Sequence, residues 1–209
     1  MGPNVGGMKM TLRTALVSTL LCSALAVATP AIAKDALPGV GEVAPAFALR
    51  PFQAGLAASE GDEARSAVEL DSVCGIRSPE STAAVLVMFV DDDGTQDLAV
   101  ANAWHRRFHK EGLEIIAVSE VERPESFGAA VVRARYTFPV LDDRHHIVAT
   151  RFGIDQAPFS LLLDRECRVV GMNNKSVASD QDNLGAAISL MLSQAKASRK
   201  TTRKAAKRR

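Results

Sequence analysis

The sequence predicts an α/β protein: a three-layer α/β/α sandwich in which helices cover both faces of a central mixed sheet. Three observations point there. Residues 83–90 (AAVLVMFV) and 113–118 (LEIIAV) are continuous apolar runs rich in β-branched residues, the pattern of strands buried on both faces. Helical periodicity follows each run, so the chain returns to the sheet through helical crossovers. Residues 159–163 and 168–172 are two further strand-like runs flanking Asp164-Arg-Glu-Cys167, a four-residue turn that makes an antiparallel hairpin.

In chain order, residues 34–58 are rich in Ala, Gly and Pro and read as a leading loop. Residues 59–67 are a polar loop, and Val68, Glu69 and Leu70 form a short edge strand. After the first buried strand, residues 91–97 form a turn carrying helix-start residues. Leu98, Ala101, Trp104 and Phe108 then recur at spacings of three and four, an amphipathic helix that places Trp104 and Phe108 in the core. Gly112 is its stop signal. Pro124 opens a helix reaching about Tyr136, residues 138–141 are extended, and residues 147–152 form a short helix closed by Gly153. A last helix spans residues 180–194, with Leu184, Ile188, Met191 and Leu192 on one face. No internal repeat is present.

Of the 209 residues, 47% are hydrophobic and 23% charged, which excludes a disordered chain, a collagen and a coiled coil. Three cysteines are too few for a disulfide-built miniprotein. Lys9 and Arg13, the apolar stretch 15–28 and the Ala31-Ile-Ala33 end are the parts of a secretory signal, cut after Ala33. The apolar stretch is shorter than the ~20 residues of a membrane span, and Pro30 closes it. A lipoprotein reading through Cys22 is disfavoured because Leu21 stands where a small residue belongs. The mature protein is then expected in the periplasm or secreted, with no transmembrane span.

Residues 34–195 form one domain, holding 15 Lys/Arg and all 24 Asp/Glu, while residues 196–209 hold 8 Lys/Arg and no acid. That terminal stretch has no large apolar residue. It reads as a disordered basic tail or a frayed extension of the last helix, solvated or drawn to an anionic surface. Export argues against a nucleic-acid partner.

The order of elements resembles the alkyl hydroperoxide reductase/thiol-specific antioxidant (redoxin) group and its periplasmic thiol–disulfide oxidoreductase relatives. The segment Gly41-Glu-Val-Ala-Pro-Ala-Phe-Ala-Leu49 is similar to their leading segment. Thr137-Phe-Pro-Val-Leu141, followed by Arg151-Phe-Gly-Ile-Asp-Gln-Ala-Pro-Phe-Ser-Leu-Leu-Leu-Asp164, is similar to their F-P-V-L…Y-G-V-x-x-x-P-x-x-F-L-I-D stretch. The resemblance covers residues 39–194 and implies a thioredoxin-like fold. It also implies a cis bond between Ala157 and Pro158 beside the family's active site.

One departure bears directly on function. Such enzymes carry Cys-x-x-Cys, or one peroxidatic Cys, where the first buried strand meets its helix and the helix N-terminus stabilises a thiolate. Here the place reads Asp91, Asp92, Asp93, Gly94, Thr95, Gln96, Asp97. A carboxylate forms no mixed disulfide, so neither thiol–disulfide exchange nor a Cys-peroxidase cycle runs at this loop. Two readings of the acids stand. They are oxygen ligands for a hard cation, or Asp93 or Thr95 caps the helix while the others face its dipole; the second is favoured and no metal is assigned. The remaining candidates are Cys74 and Cys167, which lie before the first strand and in the hairpin turn, at the pole opposite Pro158. A structural disulfide is expected for them, with a relocated redox pair or two separate thiols as the alternatives. His105 and His109, spaced i, i+4, and the pair His145-His146 are expected on solvated surfaces, the former with no acidic third ligand in view.

The overall expectation is a thioredoxin-fold binding or scaffold protein with no catalytic residue and no cofactor. Its interaction face would be Asp91–Asp97 with Ala157 and Pro158, met by an envelope protein. The alternative is an oxidoreductase or antioxidant protein acting through Cys74 and Cys167.

Overall fold

The computed structural model describes residues 36–53 and 67–206, with side chains to residue 201. The signal-like segment 1–33, most of the polar loop and the last three residues lie outside these.

Five strands form the central sheet: β3 (Ala84–Val90), β4 (Leu113–Ser119), β5 (Val140–Asp142), β6 (Phe159–Asp164) and β7 (Val169–Asn173). Their order is β5-β4-β3-β6-β7. The β3–β4 and β4–β5 pairs are parallel, whereas β3–β6 and β6–β7 are antiparallel, so the sheet is mixed as the hairpin signal predicts. Every residue of β3 is buried. Alternate residues point to opposite faces, and each face has its own core. Leu86, Met88 and Val90 join Leu98 and Phe108 of helix α2 (Thr95–Phe108), Phe127 and Val131 of α3 (Pro124–Ala134), and Leu184, Ile188 and Leu192 of α5 (Gln181–Ala206). Val85, Val87 and Phe89 join Leu70 of α1 (Leu70–Val73), Val148 and Ala149 of α4 (Ile147–Arg151), and Phe47 and Phe152. Covering both faces is what permits an uninterrupted apolar strand.

The exceptions have local causes. Val68–Glu69 (β2) does not edge the main sheet; it pairs antiparallel with Ala48–Leu49 (β1) in a separate ribbon, and Leu70 already starts α1. The helix α3 stops at Ala134, because Arg135 turns left-handed at φ 52°, which leaves Tyr136 outside it. Of the two readings of the basic stretch, extension of the last helix is the one seen as far as Ala206, where α5 ends. The terminal stretch is rich in Ala, Lys and Arg, all good helix formers, and Arg199 donates to the carbonyls of Ser81 and Thr82 at 2.8 and 3.0 Å. Among the described residues no helix is long and apolar enough to cross a membrane.

Candidate functional site

The site is set by where β3 ends. The register pairs Phe89 with Phe159, so Ala157 and Pro158 stand at the same end of the sheet as residues 91–97. Both residues are half-buried, and the peptide bond between them is cis. Residues 91–97, Ala157 and Pro158 therefore lie at one end of the sheet. Its lower pole is equally fixed, since Ala84 pairs with Asp164 and the hairpin turn lies beyond it.

The turn after β3 closes through Gly94, whose N–H donates to the Asp91 carbonyl at 3.1 Å. A Cβ at Gly94 would stand 2.7 Å from Val90 Cβ, so the close approach demands glycine. Gly94 is itself the N-cap of α2, and no side chain caps the helix. The expectation that Asp93 or Thr95 caps it is thus corrected: the N-cap position falls on a residue without a side chain, with Asp93 before it and Thr95 already inside the helix. The acids are spent separately. Asp91 accepts the Asp93 N–H at 3.1 Å, a local Asx turn. Asp92 accepts the Glu122 N–H at 3.3 Å and so ties the loop after β4 to the loop after β3. Asp97 is 4% exposed and turns inward, accepting Ser176 Oγ–H at 2.5 Å and Ala178 N–H at 2.9 Å. Asp93, Thr95 and Gln96 remain exposed. The acids do not converge as metal ligands among the described residues.

Two groups that sequence reasoning missed complete this end. Glu120 follows β4, and its carboxylate meets His146 Nδ1 at 3.1 Å while its second oxygen is buried without a partner. Burial holds the Glu120 carboxyl above the ordinary glutamate range; the His146 contact pulls it partly back, and Asp143 and Asp91 push it up. Asp143, 2% exposed, accepts N–H bonds from Ile147, Val148 and Ala149 at 2.9–3.2 Å and so starts α4. His145 and His146 are exposed in a turn, as the sequence implies. No local motif signals this grouping; it arises only because parallel β3, β4 and β5 end side by side. The result is a carboxylate-dominated surface at the strand C-termini, holding no sulfur.

The cysteines lie at the other pole. Cys74 and Cys167 form a disulfide, with Cα atoms 5.2 Å apart and the two residues 93 apart in sequence. Cys74 is 0% and Cys167 7% exposed. Ala44 N–H donates to the Cys167 carbonyl and Gly75 N–H to that of Arg165, so backbone bonds close the pole around the bridge. The seven-residue β3 stands between this pole and Pro158, about 20 Å at the usual strand rise.

The pair His105/His109 departs from expectation. His105 is 5% exposed rather than solvated, its ring edge-on to Phe138 at 5.8 Å between centroids. An acid is in fact close by: Glu114 Oε1 lies 3.2 Å from His109 Nδ1. Gly112, at φ 106°, reverses the chain after the helix and swings the first residues of β4 back under it. Spacing along the sequence could not reveal that reversal.

Comparison with known proteins is consistent with this architecture. The AhpC/TSA family model matches residues 40–175. Sequence comparison with curated proteins finds no match. Among solved structures, a candidate thiol:disulfide interchange protein DsbE from Chlorobium tepidum superposes with a TM-score of 0.59 at 18% identity, covering 74% of this chain and 99% of that one. A candidate protein disulfide isomerase from Bacteroides thetaiotaomicron gives 0.56 at 18% identity, covering 75% and 91%. Peroxidoxin BcpB from Mycobacterium tuberculosis gives 0.53 at 15% identity, covering 77% and 97%. At such identities the likeness is one of fold.

Proposed function

This chain belongs to the AhpC/TSA family, and we propose that within it the protein is a binding or scaffold member that carries no redox chemistry at its β3–α2 loop. The observation that carries the reading is the loop itself. Where a thiolate would sit at the helix N-terminus, residues 91–97 supply carboxylates, a glycine cap and no sulfur. Without a thiolate there is no nucleophile to open a substrate disulfide and no peroxidatic sulfur to oxidise.

The interaction surface in this reading is the same end of the sheet: Asp91, Asp92, Asp93, Gly94, Thr95 and Gln96 with Ala157 and Pro158, bordered by Glu120 and Glu122. Its charge favours a partner presenting Lys or Arg, since complementary charge steers association and fixes register. The proposed setting is extracytoplasmic. The signal-like residues 9–33 support it, as does a disulfide, which persists in oxidising compartments. The partner would then be an envelope protein. The basic end of α5, with Lys196 and Lys200 exposed, is a second surface suited to an anionic one.

The competing reading, an oxidoreductase working through Cys74 and Cys167, requires a reducible bridge open to substrate. Burial of both cysteines argues against it. The binding reading is tested by capture from an envelope fraction, comparing the wild-type chain with Asp91→Asn/Asp92→Asn/Asp93→Asn. A protein enriched by the first and at least tenfold less by the second is the expected result. Equal capture by both would remove this face from the account.

A further inference from the structure

We propose that His105, His109 and Glu114 form a binding site for a single divalent transition-metal ion of the zinc type, with a fourth position open to water. The site is independent of the face described above. It lies where the C-terminal turn of α2 meets the start of β4, where Glu114 pairs in register with Val85.

The strongest evidence is the hydrogen-bond chain that holds His105. Asn102 Oδ1 accepts the Thr137 N–H at 3.0 Å, so the amide must present its oxygen. Thr137 Oγ donates its one proton to that same oxygen, also at 3.0 Å. The hydroxyl is left only as an acceptor, and His105 Nδ1 lies 2.8 Å from it. His105 is therefore protonated on Nδ1. In the neutral ring its Nε2 is a bare lone pair, buried without a hydrogen-bond partner. A histidine held through one nitrogen by a hydrogen bond, with the other free, is the usual arrangement of a metal ligand.

The free nitrogen faces the other two groups. Nε2 is 3.7 Å from Glu114 Oε2, and His109 Nδ1 is 3.2 Å from Glu114 Oε1. One ligating atom from each residue falls within 4.8 Å of the others. Zinc bonds of about 2.0–2.2 Å to N and O place tetrahedral ligands roughly 3.4 Å apart, so small rotations of Glu114 and His109 suffice. His109 is half-exposed, which leaves the ion a route in and a water position. Two imidazoles and one carboxylate are a borderline donor set that suits Zn²⁺ or Co²⁺ better than Ca²⁺ or Mg²⁺, which prefer all-oxygen shells. The C-terminal end of α2 adds its partial negative charge beneath a cation.

Cobalt(II) is the probe, titrated into the full chain without an affinity tag and with Cys22→Ser, so that no free thiolate competes. The expected result is one ion per chain, read as visible d–d bands of a low-coordinate nitrogen/oxygen site and displaced by Zn²⁺. Glu114→Gln and His109→Ala, both at accessible positions whose folding circular dichroism checks, are each expected to weaken binding at least tenfold. Thr137→Val, which removes the group that positions His105, is expected to weaken it about 10–100-fold. The other two histidines provide the control: His145→Ala/His146→Ala should leave the bands unchanged. Absent bands, or bands that persist with equal affinity in Glu114→Gln and His109→Ala, would overturn the site and leave a histidine–glutamate ion pair in its place.

Discussion

Asp97 shows how one carboxylate can be misread from sequence and yet be indispensable. It sits in an acidic run at a helix start, where capping is the ordinary role, but its side chain turns inward to hold Ser176 and Ala178. Asp97→Ala should cost about 2–3 kcal/mol in urea unfolding, because it removes a charged acceptor and strands two donors in a buried place. Glu120 carries the pH dependence. Its folded-state carboxyl titrates above its unfolded value, so folding favours the protonated form. Its contribution is therefore most favourable below the unfolded glutamate range and declines as pH rises through the folded pKa. Glu120→Gln should remove that decline. The urea midpoints of variant and wild type, compared at about pH 4 and about pH 8, should diverge in favour of the variant at the higher pH. Neither role was legible in the sequence, since both depend on neighbours more than 20 positions away. The cysteine-free loop, by contrast, is legible without any structure, because chemistry excludes exchange whatever the geometry.

Elements were legible where periodicity is strong and opaque where single residues decide. The runs at residues 83–90 and 113–118 become β3 and β4 within a residue or two at either end, because a strand covered on both faces needs a continuous apolar sequence. The ribbon of β1 and β2 was half seen: β2 is β-branched enough to suggest a strand, but its two-residue partner carries no pattern. The run-on of α5 to Ala206 draws on helix propensity and on the anchor at Arg199. Arg199→Ala removes two hydrogen bonds to carbonyls and should cost about 1 kcal/mol, with earlier fraying of α5 seen by amide exchange. Gly112 ends the α2 turn at φ 106°, and an added Cβ would stand 2.2 Å from the Ser81 carbonyl oxygen. Gly112→Ala should lower stability by more than the roughly 1–2 kcal/mol of a left-handed residue alone, read from thermal unfolding. The same turn brings Glu114 beneath His109, so the variant should also disturb that cluster.

At the scale of the molecule, the sheet separates two poles of different composition. One pole is closed by a buried disulfide that shuts a loop of 93 residues in the unfolded chain. Cys74→Ser/Cys167→Ser should therefore cost roughly 4–5 kcal/mol in the chain-entropy model, seen as a lower urea midpoint with unchanged binding at the far pole. The other pole keeps the family's cis-proline and strand ends but presents carboxylates. The mixed sheet and the family were legible from the hairpin signal and the order of motifs, whereas the strand order was not. The acidic, cysteine-free loop was legible from residues 91–97, but its neighbours Glu120 and Asp143 were not, because adjacency of strand ends is a property of the folded sheet. Electron transfer is read most simply as turnover: insulin-disulfide reduction and peroxide consumption by the purified chain, beside Cys74→Ser. A loop without a thiolate should give no thiol-dependent rate above the uncatalysed reaction in either protein. A rate that is present in the wild-type chain and abolished by Cys74→Ser would contradict it.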